Sequence, residues 1–396
     1  MDKQSGWRGQ RRYATPIVTG ALIALAATAC GSSSSSSSSK ASGPTPGTSV
    51  AQSQPVPVAN SDIEKFVAAA EEEPTFRVKQ SLPSAPAPGK TIVYLQNDVA
   101  QSQTIGSGVR DAAQAVGWKY DVINYKSADT STLLTAMQDA LSKKPYAVVF
   151  SGAPETIWAS MKPAYAAANV SLVPMYVGPA KLDGPVVGNV AGDPDNNYAG
   201  KVLADWFITN SGGSGKAAIQ AVAGFPVIAV WQEAFQKEVA AQCSKCEVKV
   251  VQTTVDALTQ GSAVGALVSA LQSDQSIKYA FAYNTNFVPG ITNELNNAGL
   301  SGVKVGGWSA TSEGVADILK GKDYGWMVLN TVYSGWLAVD MVLNHLSGVT
   351  LAPDEQILPQ QLITTKNATA DKVKTANTFS LPVDYPAQFK KLWHVG

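Results

Sequence analysis

From about residue 90 onward, the sequence alternates short apolar runs with longer segments in which apolar residues recur at helical spacing. The runs at residues 91–95 and 147–150 are too short for helices, whereas Ile105, Val109 and Ala112 mark one face of a helix. Such alternation predicts β-α-β units, in which parallel strands are buried because helices cover both faces of the sheet. The chain is therefore predicted to have an α/β fold.

The alternating part of the chain is long enough for two domains. About 300 residues follow Lys90, which exceeds one ordinary hydrophobic core. The pattern runs to residue 177 and restarts after residues 186–190, which are predicted to form a strand. We therefore predict two Rossmann-like lobes with parallel sheets. A single closed eight-stranded barrel is the alternative, because periodicity cannot count sheets.

Three further elements follow Trp308 and are extra to two complete series: strands at residues 324–331 and 358–364, and a helix at residues 335–346. We expect them to return to the two lobes, so that several segments cross between the lobes. The predicted first lobe comprises residues 90–194 and 331–356, and the second comprises residues 195–330 and 357–365. Residues 366–396 are predicted to be a C-terminal tail packed on the lobes.

The first 29 residues have the layout of an export signal. Four basic residues, Lys3, Arg8, Arg11 and Arg12, precede an uncharged apolar run at residues 17–27. A basic head with a short apolar segment predicts a signal peptide, because the run is too short to span a bilayer. The Arg11-Arg12 pair could mark twin-arginine export, although the flanking motif is missing.

A cysteine follows the apolar run in the order Ala27-Thr28-Ala29-Cys30, and residues 32–39 are all serine. This arrangement resembles the bacterial lipobox, in which the cysteine is acylated and becomes the new N-terminus. Ala27 stands where that motif usually has leucine. The resemblance implies a lipid anchor at Cys30, and a soluble secreted protein with a free Cys30 is the alternative.

A polar stretch separates this cysteine from the globular part. Residues 30–60 are mostly Ser, Pro, Gly and Ala with almost nothing to bury, which predicts a disordered tether. Residues 61–89 are predicted to hold a short amphipathic helix followed by a Pro-rich lead-in.

Charge and cysteine usage fit a protein outside the cytoplasm. The chain carries 30 positive and 30 negative side chains. Four of the positive and one of the negative side chains lie in residues 1–29, so the rest of the chain has 26 positive and 29 negative side chains. A near-neutral chain gives no electrostatic footprint for nucleic acid. Cys243 and Cys246 are predicted to form a local disulfide in an oxidising compartment, with a redox site as the alternative. Because only two histidines are present, we expect no metal site, and we expect no cofactor.

Five local motifs follow one another along the globular part. Residues 108–118 end in Gly-Trp, residues 167–170 are Ala-Ala-Asn-Val, residues 195–201 are Asp-Asn-Asn-Tyr-Ala-Gly-Lys, residues 280–284 are Ala-Phe-Ala-Tyr-Asn, and residues 306–309 are Gly-Gly-Trp-Ser. In this order they resemble the type I periplasmic binding proteins of the sugar-binding (ribose- and galactose-type) class. The resemblance covers residues 90–365. It implies two lobes that bind a small molecule between them and pass it to an ABC importer.

The sequence differs from the sugar-binding class at three positions where proteins of that class have charged residues. Sugar binders of the class clamp hydroxyl groups with Asp and Arg at three positions that correspond here to Tyr176, Trp231 and Ser309. A sugar needs charged, bidentate partners to replace the water bonds that its hydroxyls lose on burial. The departures therefore favour a less hydroxylated, partly apolar or aromatic ligand. Trp231 could instead pack in the core.

Five further residues complete the predicted ligand site: Asn97, Asp98, Gln101, Asn284 and Asn330. Asn284 ends a predicted strand, where ligands sit in open α/β sheets. Asn97, Asp98 and Gln101 follow the first strand of the other lobe, although Asp98 could merely cap the next helix. Asn330 takes the place of a hinge-side amide in the family that the chain resembles.

Together these features predict an extracytoplasmic, lipid-anchored, monomeric binding protein that delivers a small organic ligand to an ABC importer permease. An enzyme is not expected, because the sequence lacks a G-x-G-x-x-G after a strand, a P-loop and a G-x-S-x-G. A DNA-binding regulator of related fold would need an N-terminal helix pair where this chain has a predicted signal peptide. A sensor lipoprotein that presents ligand to a receptor is the main alternative, and an ordinary sugar binder is another.

Overall fold

Two open sheets organise residues 61–375 and 384–396, which are the residues that the computed structural model describes. The predicted signal peptide, the Cys30 anchor and the tether lie outside the described residues. The strands are β1 (Thr91–Gln96), β2 (Lys119–Asn124), β3 (Ala147–Ser151), β4 (Ser171–Met175), β5 (Lys216–Ala223), β6 (Glu247–Thr254), β7 (Tyr279–Ala282), β8 (Lys304–Gly307), β9 (Gly325–Leu329) and β10 (Gln360–Ile363).

The two sheets confirm the two-lobed α/β prediction and exclude the closed barrel. The first sheet has the strand order β2-β1-β3-β4, and all of its pairs are parallel. The second has the order β10-β9-β8-β7-β5-β6, and only β10 runs antiparallel to its neighbour. Every residue of β3, β4, β7 and β9 is buried, which explains why these strands are continuous apolar runs in the sequence.

Helices precede and cover the sheets. They are α1 (Ser61–Glu71), α2 (Ala100–Ala115), α3 (Thr130–Ser142), α4 (Glu155–Trp158), α5 (Lys162–Ala167), α6 (Asp193–Asn210), α7 (Pro226–Gln242), α8 (Val255–Thr259), α9 (Ala263–Ser273), α10 (Ile291–Asn297), α11 (Ser312–Leu319), α12 (Thr331–Leu346), α13 (Ala370–Thr375) and α14 (Tyr385–Leu392). Most of them connect consecutive strands of one sheet, as β-α-β units require.

The described chain crosses between the lobes three times. It leaves the first sheet after β4, enters the second lobe at α6, returns from β9 to the first lobe in α12, and crosses back to β10. Helix α12 packs closely on α2, because Gly108 and Gly335 lie at the contact, where a Cβ atom on either would overlap the backbone of the other helix. The crossings bring the carboxyl ends of the strands in the two sheets to face each other.

Several predicted elements differ in the structure. The helix predicted at residues 335–346 begins at Thr331, and the strand predicted at residues 324–331 ends at Leu329. The predicted strand at residues 186–190 is reduced to two isolated bridges, Leu172 to Val186 and Met175 to Val190. The predicted single helix at residues 155–168 is broken into α4, a 3₁₀ turn and α5, because Pro163 cannot donate a backbone hydrogen bond and starts a new helix instead. Helix α6 begins earlier than predicted, at Asp193, with Pro194 in its first turn.

Segments from both ends of the described chain pack against the lobes. Helix α1 contacts α6 and β10, and the side chains of Gln361 and Asn367 donate hydrogen bonds to the carbonyl of Glu71 at its end. Helix α14 packs on α12, where the rings of Trp336 and Trp393 stack with their centroids 5.4 Å apart. At the far end of the second lobe, the structure joins Cys243 and Cys246 in a disulfide.

Asp340 lies buried beneath the C-terminal helix and should make stability depend on pH. Its Oδ1 accepts a hydrogen bond of 2.6 Å from Trp393 Nε1, and burial raises the pKa of its carboxyl group from 3.8 to about 7. The folded state therefore holds a proton that the unfolded chain releases above pH 4. The contribution of protonated Asp340 to the free energy of unfolding is complete below pH 4 and is lost as the pH rises toward 7.

We expect Asp340→Asn to flatten this dependence, because the amide keeps an acceptor for Trp393 but cannot ionise. Relative to the variant, the wild type should lose roughly 2–4 kcal/mol between pH 4 and pH 7. Denaturant unfolding at several pH values measures the difference, and Asp139→Asn at an exposed carboxyl group is the control. Equal pH slopes for the wild type and Asp340→Asn would show that Asp340 does not titrate in this way.

Candidate ligand-binding cleft

A cavity lies between the two lobes at the carboxyl ends of β1, β3 and β4 on one side and of β5 and β7 on the other. This is where ligands bind in open α/β folds. Its free volume is about 50 Å³, which is space for about one or two water molecules. Its walls are formed by Asn97, Val99, Gln101, Ser102, Ile105, Ser151, Gly152, Tyr176, Phe225, Val227, Ile228, Tyr283 and Phe287.

Polar groups on the first-lobe wall are held by one another. Asn97 Nδ2 donates to the carbonyl of Ser151 over 3.1 Å, and Asn97 Oδ1 accepts from the backbone N–H of Val99 over 3.0 Å. The hydroxyl of Ser102 lies 2.8 Å from that of Tyr94, and burial raises the pKa of Tyr94 to about 12. These groups form a neutral and rigid wall on the side of the first lobe.

The second-lobe wall is largely aromatic. Tyr283 directly follows β7, and its hydroxyl donates to Asn196 Oδ1 over 2.9 Å. Its ring lies against those of Phe287 and Trp308, with centroid distances of 6.2 and 5.1 Å. Burial raises the pKa of Tyr283, so this hydroxyl stays neutral. The wall therefore offers apolar area with fixed, uncharged hydrogen-bonding groups.

Two predicted site residues have a left-handed backbone. Tyr176 follows β4 with φ of 53°, and Ser309 lies two residues after β8 with φ of 62°. This conformation costs a residue with a Cβ atom on the order of 1–3 kcal/mol and is enriched at binding sites. Tyr176 lines the cavity, and burial raises the pKa of its hydroxyl. The backbone strain at both strand ends coincides with the cleft.

Gln101 joins the lobes across the cleft. Its Nε2 donates to the hydroxyl of Ser309 over 2.9 Å, and its Oε1 accepts from Asn284 Nδ2 over 3.1 Å. The structure thus brings together the predicted residues Gln101, Asn284 and Ser309. Gln101 borders the free space, whereas Asn284 and Ser309 are not among the residues that line it.

Three predicted residues lie away from the cavity. Trp231 is fully buried behind Tyr283, with ring centroids 5.7 Å apart, so it supports the wall instead of forming it. Asp98 is exposed and accepts a hydrogen bond from the backbone N–H of Ser127, and it does not cap α2. Asn330 caps α12 by accepting a hydrogen bond from the N–H of Tyr333.

Several wall residues were not predicted from the sequence. Ser151, Phe225 and Tyr283 all lie at or just after the carboxyl end of a strand, which is a signal that strand assignment alone supplies. Ile228 and Phe287 are ordinary apolar residues in the sequence, and nothing local distinguishes them from core residues. Ile228 and Phe287 form part of the cavity wall because the second lobe places them opposite the first lobe.

The cavity is electrically neutral. Among residues 61–375 and 384–396, no charged side chain lines it. Asp195, buried near Tyr176 and Tyr283, accepts a hydrogen bond from the N–H of Leu358, and burial raises its pKa to about 7. A charged ligand group would therefore find no opposite charge in the wall, and burying an unpaired charge is costly. The wall suits a small, neutral and partly apolar molecule.

The described residues also lack two other features. They contain no cluster of three or more His, Cys, Asp or Glu side chains that could hold a metal ion. None of the helices in this part of the chain is long and apolar enough to cross a membrane.

Residues 91–350 match the family model described as periplasmic binding protein domain. No curated protein matches the sequence. Several solved structures share the fold of this chain at identities below 20%, a level at which likeness concerns the fold alone.

Three of these solved structures match most of this chain at low identity. An ABC sugar transporter subunit from Rhodobacter sphaeroides is 17% identical with a TM-score of 0.61, and the match covers 71% of this chain and 99% of that one. An ABC transporter solute binding protein from Mycobacterium smegmatis, with bound glycerol, is 18% identical with a TM-score of 0.62, covering 74% and 98%. The matching chain of the XylFII-LytSN complex is 16% identical with a TM-score of 0.60, and the match covers 71% of this chain and 100% of that one.

Proposed function

Because the chain belongs to the periplasmic binding protein domain family, with residues 91–350 matching the family model, we propose that it captures a small, neutral, partly apolar molecule between its lobes. The observation that carries this proposal is the uncharged cavity at the facing strand ends. The protein works outside the cytoplasm, anchored through acylated Cys30, and delivers its ligand to an ABC importer permease. The Rhodobacter ABC sugar transporter subunit and the Mycobacterium ABC transporter solute binding protein, which share this fold, support that part of the proposal.

Hinge closure is the mechanism that we infer. The predicted lobe boundaries at residues 194–195, 330–331 and 356–357 lie at or near the crossings, and in this proposal a few residues at each crossing absorb the rotation. Ligand that contacts both lobes stabilises the closed form, because it adds contacts that the open form lacks. The permease then recognises the closed lobe faces, and the tether keeps the protein within reach of the membrane.

The ligand is bound and released unchanged in this proposal. The cavity wall consists of amide, hydroxyl, aliphatic and aromatic groups, many of which are already hydrogen-bonded to the framework. Such groups can orient a neutral compound but are poorly suited to transferring protons at neutral pH.

A sensor role is the second candidate. The XylFII-LytSN complex contains a chain of this fold together with a second component, which favours a role in presenting ligand to a partner protein. Deletion of the gene separates the two candidates, because an importer component is required for uptake of the ligand, whereas a sensor is required only for the response to it.

A ligand screen tests the proposal. Thermal shift of the purified protein against sugars, polyols, nucleosides, small amides and aromatic acids should identify neutral, weakly hydroxylated compounds as stabilisers. Calorimetry then measures the affinity of each stabilising compound. Stabilisation by charged acids alone, or by none of the compounds, would contradict the proposal.

A further inference from the structure

The contact between Gln101, Asn284 and Ser309 indicates what the ligand carries. Asn284 and Ser309 end the second-lobe strand regions that face the cleft, and both side chains are almost fully buried. Their cleft-facing partner is the amide of Gln101 from the first lobe. The side chain of the protein itself thus occupies the place where a molecule between the lobes would meet these two residues.

The second lobe fixes the polarity of one half of this contact, at Asn284. Asn284 Oδ1 already accepts a hydrogen bond of 2.8 Å from the backbone N–H of Asn286, so the Nδ2 group is the part left to donate across the cleft. The hydroxyl of Ser309 accepts from Gln101 Nε2 over 2.9 Å. Toward Gln101, Asn284 Nδ2 donates and the Ser309 hydroxyl accepts, although this hydroxyl can also donate. A planar carboxamide, with its oxygen and its NH₂ group, matches both at once.

The Gln101 side chain can move away from Asn284 and Ser309 more easily than they can move from it. It is only partly buried, and its long side chain has several rotatable bonds, whereas Asn284 is held by its own turn. Holding such a side chain across the cleft lowers its entropy. A ligand that brings its own amide can therefore replace the Gln101 amide without leaving Asn284 or Ser309 unpaired.

On this basis we propose that the ligand carries a neutral carboxamide that displaces the amide of Gln101 from Asn284 and Ser309. The inference rests on the proposed function and names the chemical class of its ligand. The rest of the ligand lies in the adjacent cavity against Val99, Ile105 and Ile228. The cavity has a free volume of about 50 Å³, and displacement of the Gln101 amide adds the space of that amide to it.

Matched probes test the ligand class. Isobutyramide is a small compound with the predicted group, isobutyrate has nearly the same shape with a negative charge, and 3-methylbutane-1,2-diol offers two hydroxyls instead. In calorimetric titrations of the full protein, isobutyramide should bind at least tenfold more tightly than either. The carboxylate finds no counter-charge in the wall, and the diol lacks the planar donor–acceptor pair. Equal or tighter binding of isobutyrate or of the diol would overturn the inference.

Two variants test the displacement itself. Gln101→Ala removes the internal competitor and should raise the affinity for isobutyramide at least threefold, whereas Gln103→Ala, at an exposed position of the same helix, should leave it unchanged. Ser309→Ala should weaken binding at least fivefold. A loss of affinity in Gln101→Ala would show that Gln101 is a ligand-contacting group and would overturn displacement.

The two proposals fail in different ways. If no compound in the broad screen binds, the proposed function fails. If other neutral compounds bind but isobutyramide is not preferred over the matched probes, the proposed function stands and the carboxamide inference fails.

Discussion

Replacing Cys30 with serine should move the protein from the membrane fraction to the medium or leave it unprocessed. The expected effect is nearly complete, because acylation at this cysteine would be the sole attachment that we propose, and the described helices include none able to span a bilayer. Fractionation of cells with immunoblotting, and mass spectrometry of the N-terminal peptide, measure the outcome. Ser32→Ala, two residues away, is the control and should remain anchored. A Cys30→Ser protein that stays processed and membrane-bound would exclude the anchor.

Filling the cavity should abolish ligand binding. Val99 is partly exposed, lies in the loop between β1 and α2 and lines the cavity, so Val99→Trp can occupy the free space without disturbing the core. We expect at least a hundredfold loss of affinity for a compound identified by the screen. That loss corresponds to about 2.8 kcal/mol, because each tenfold change is about 1.4 kcal/mol.

The matched control for Val99→Trp is Ala100→Trp, an exposed neighbour that does not line the cavity. It should bind the compound as the wild type does, and both variants should unfold at temperatures close to that of the wild type. Retained binding in Val99→Trp would mean that the ligand binds elsewhere on the protein.

The architecture was predictable because burial leaves a simple pattern in the sequence. Strands such as β3 and β4 are buried on both faces, so they are short apolar runs, and the helices between them keep one apolar face. The antiparallel direction of β10 was not predictable, since apolar periodicity does not encode strand direction. The break at Pro163 is visible in the sequence, although helical periodicity continues on both sides of it.

The candidate site was predictable only in part. Their position after the first strand identifies Asn97 and Gln101, and the resemblance to sugar-binding proteins identifies Tyr176; the structure places all three in the cavity wall. The sequence does not tell whether an aromatic residue faces the cleft or lies one layer behind it, and Trp231 lies behind Tyr283. The contacts of Gln101 join residues 183 and 208 positions away, which depends on how the two lobes meet.

The central claim concerns the chemistry that the cleft accepts, and calorimetric titration with unmodified sugars tests it most directly. Each sugar hydroxyl buried without a partner costs about 1–3 kcal/mol. Two or three such groups remove most of the about 8 kcal/mol that a micromolar affinity represents. Ribose, galactose, glucose and xylose should therefore show weak binding or none, whereas a neutral, partly apolar compound from the screen binds at micromolar concentration. Micromolar or tighter affinity for any of these four sugars would contradict the account.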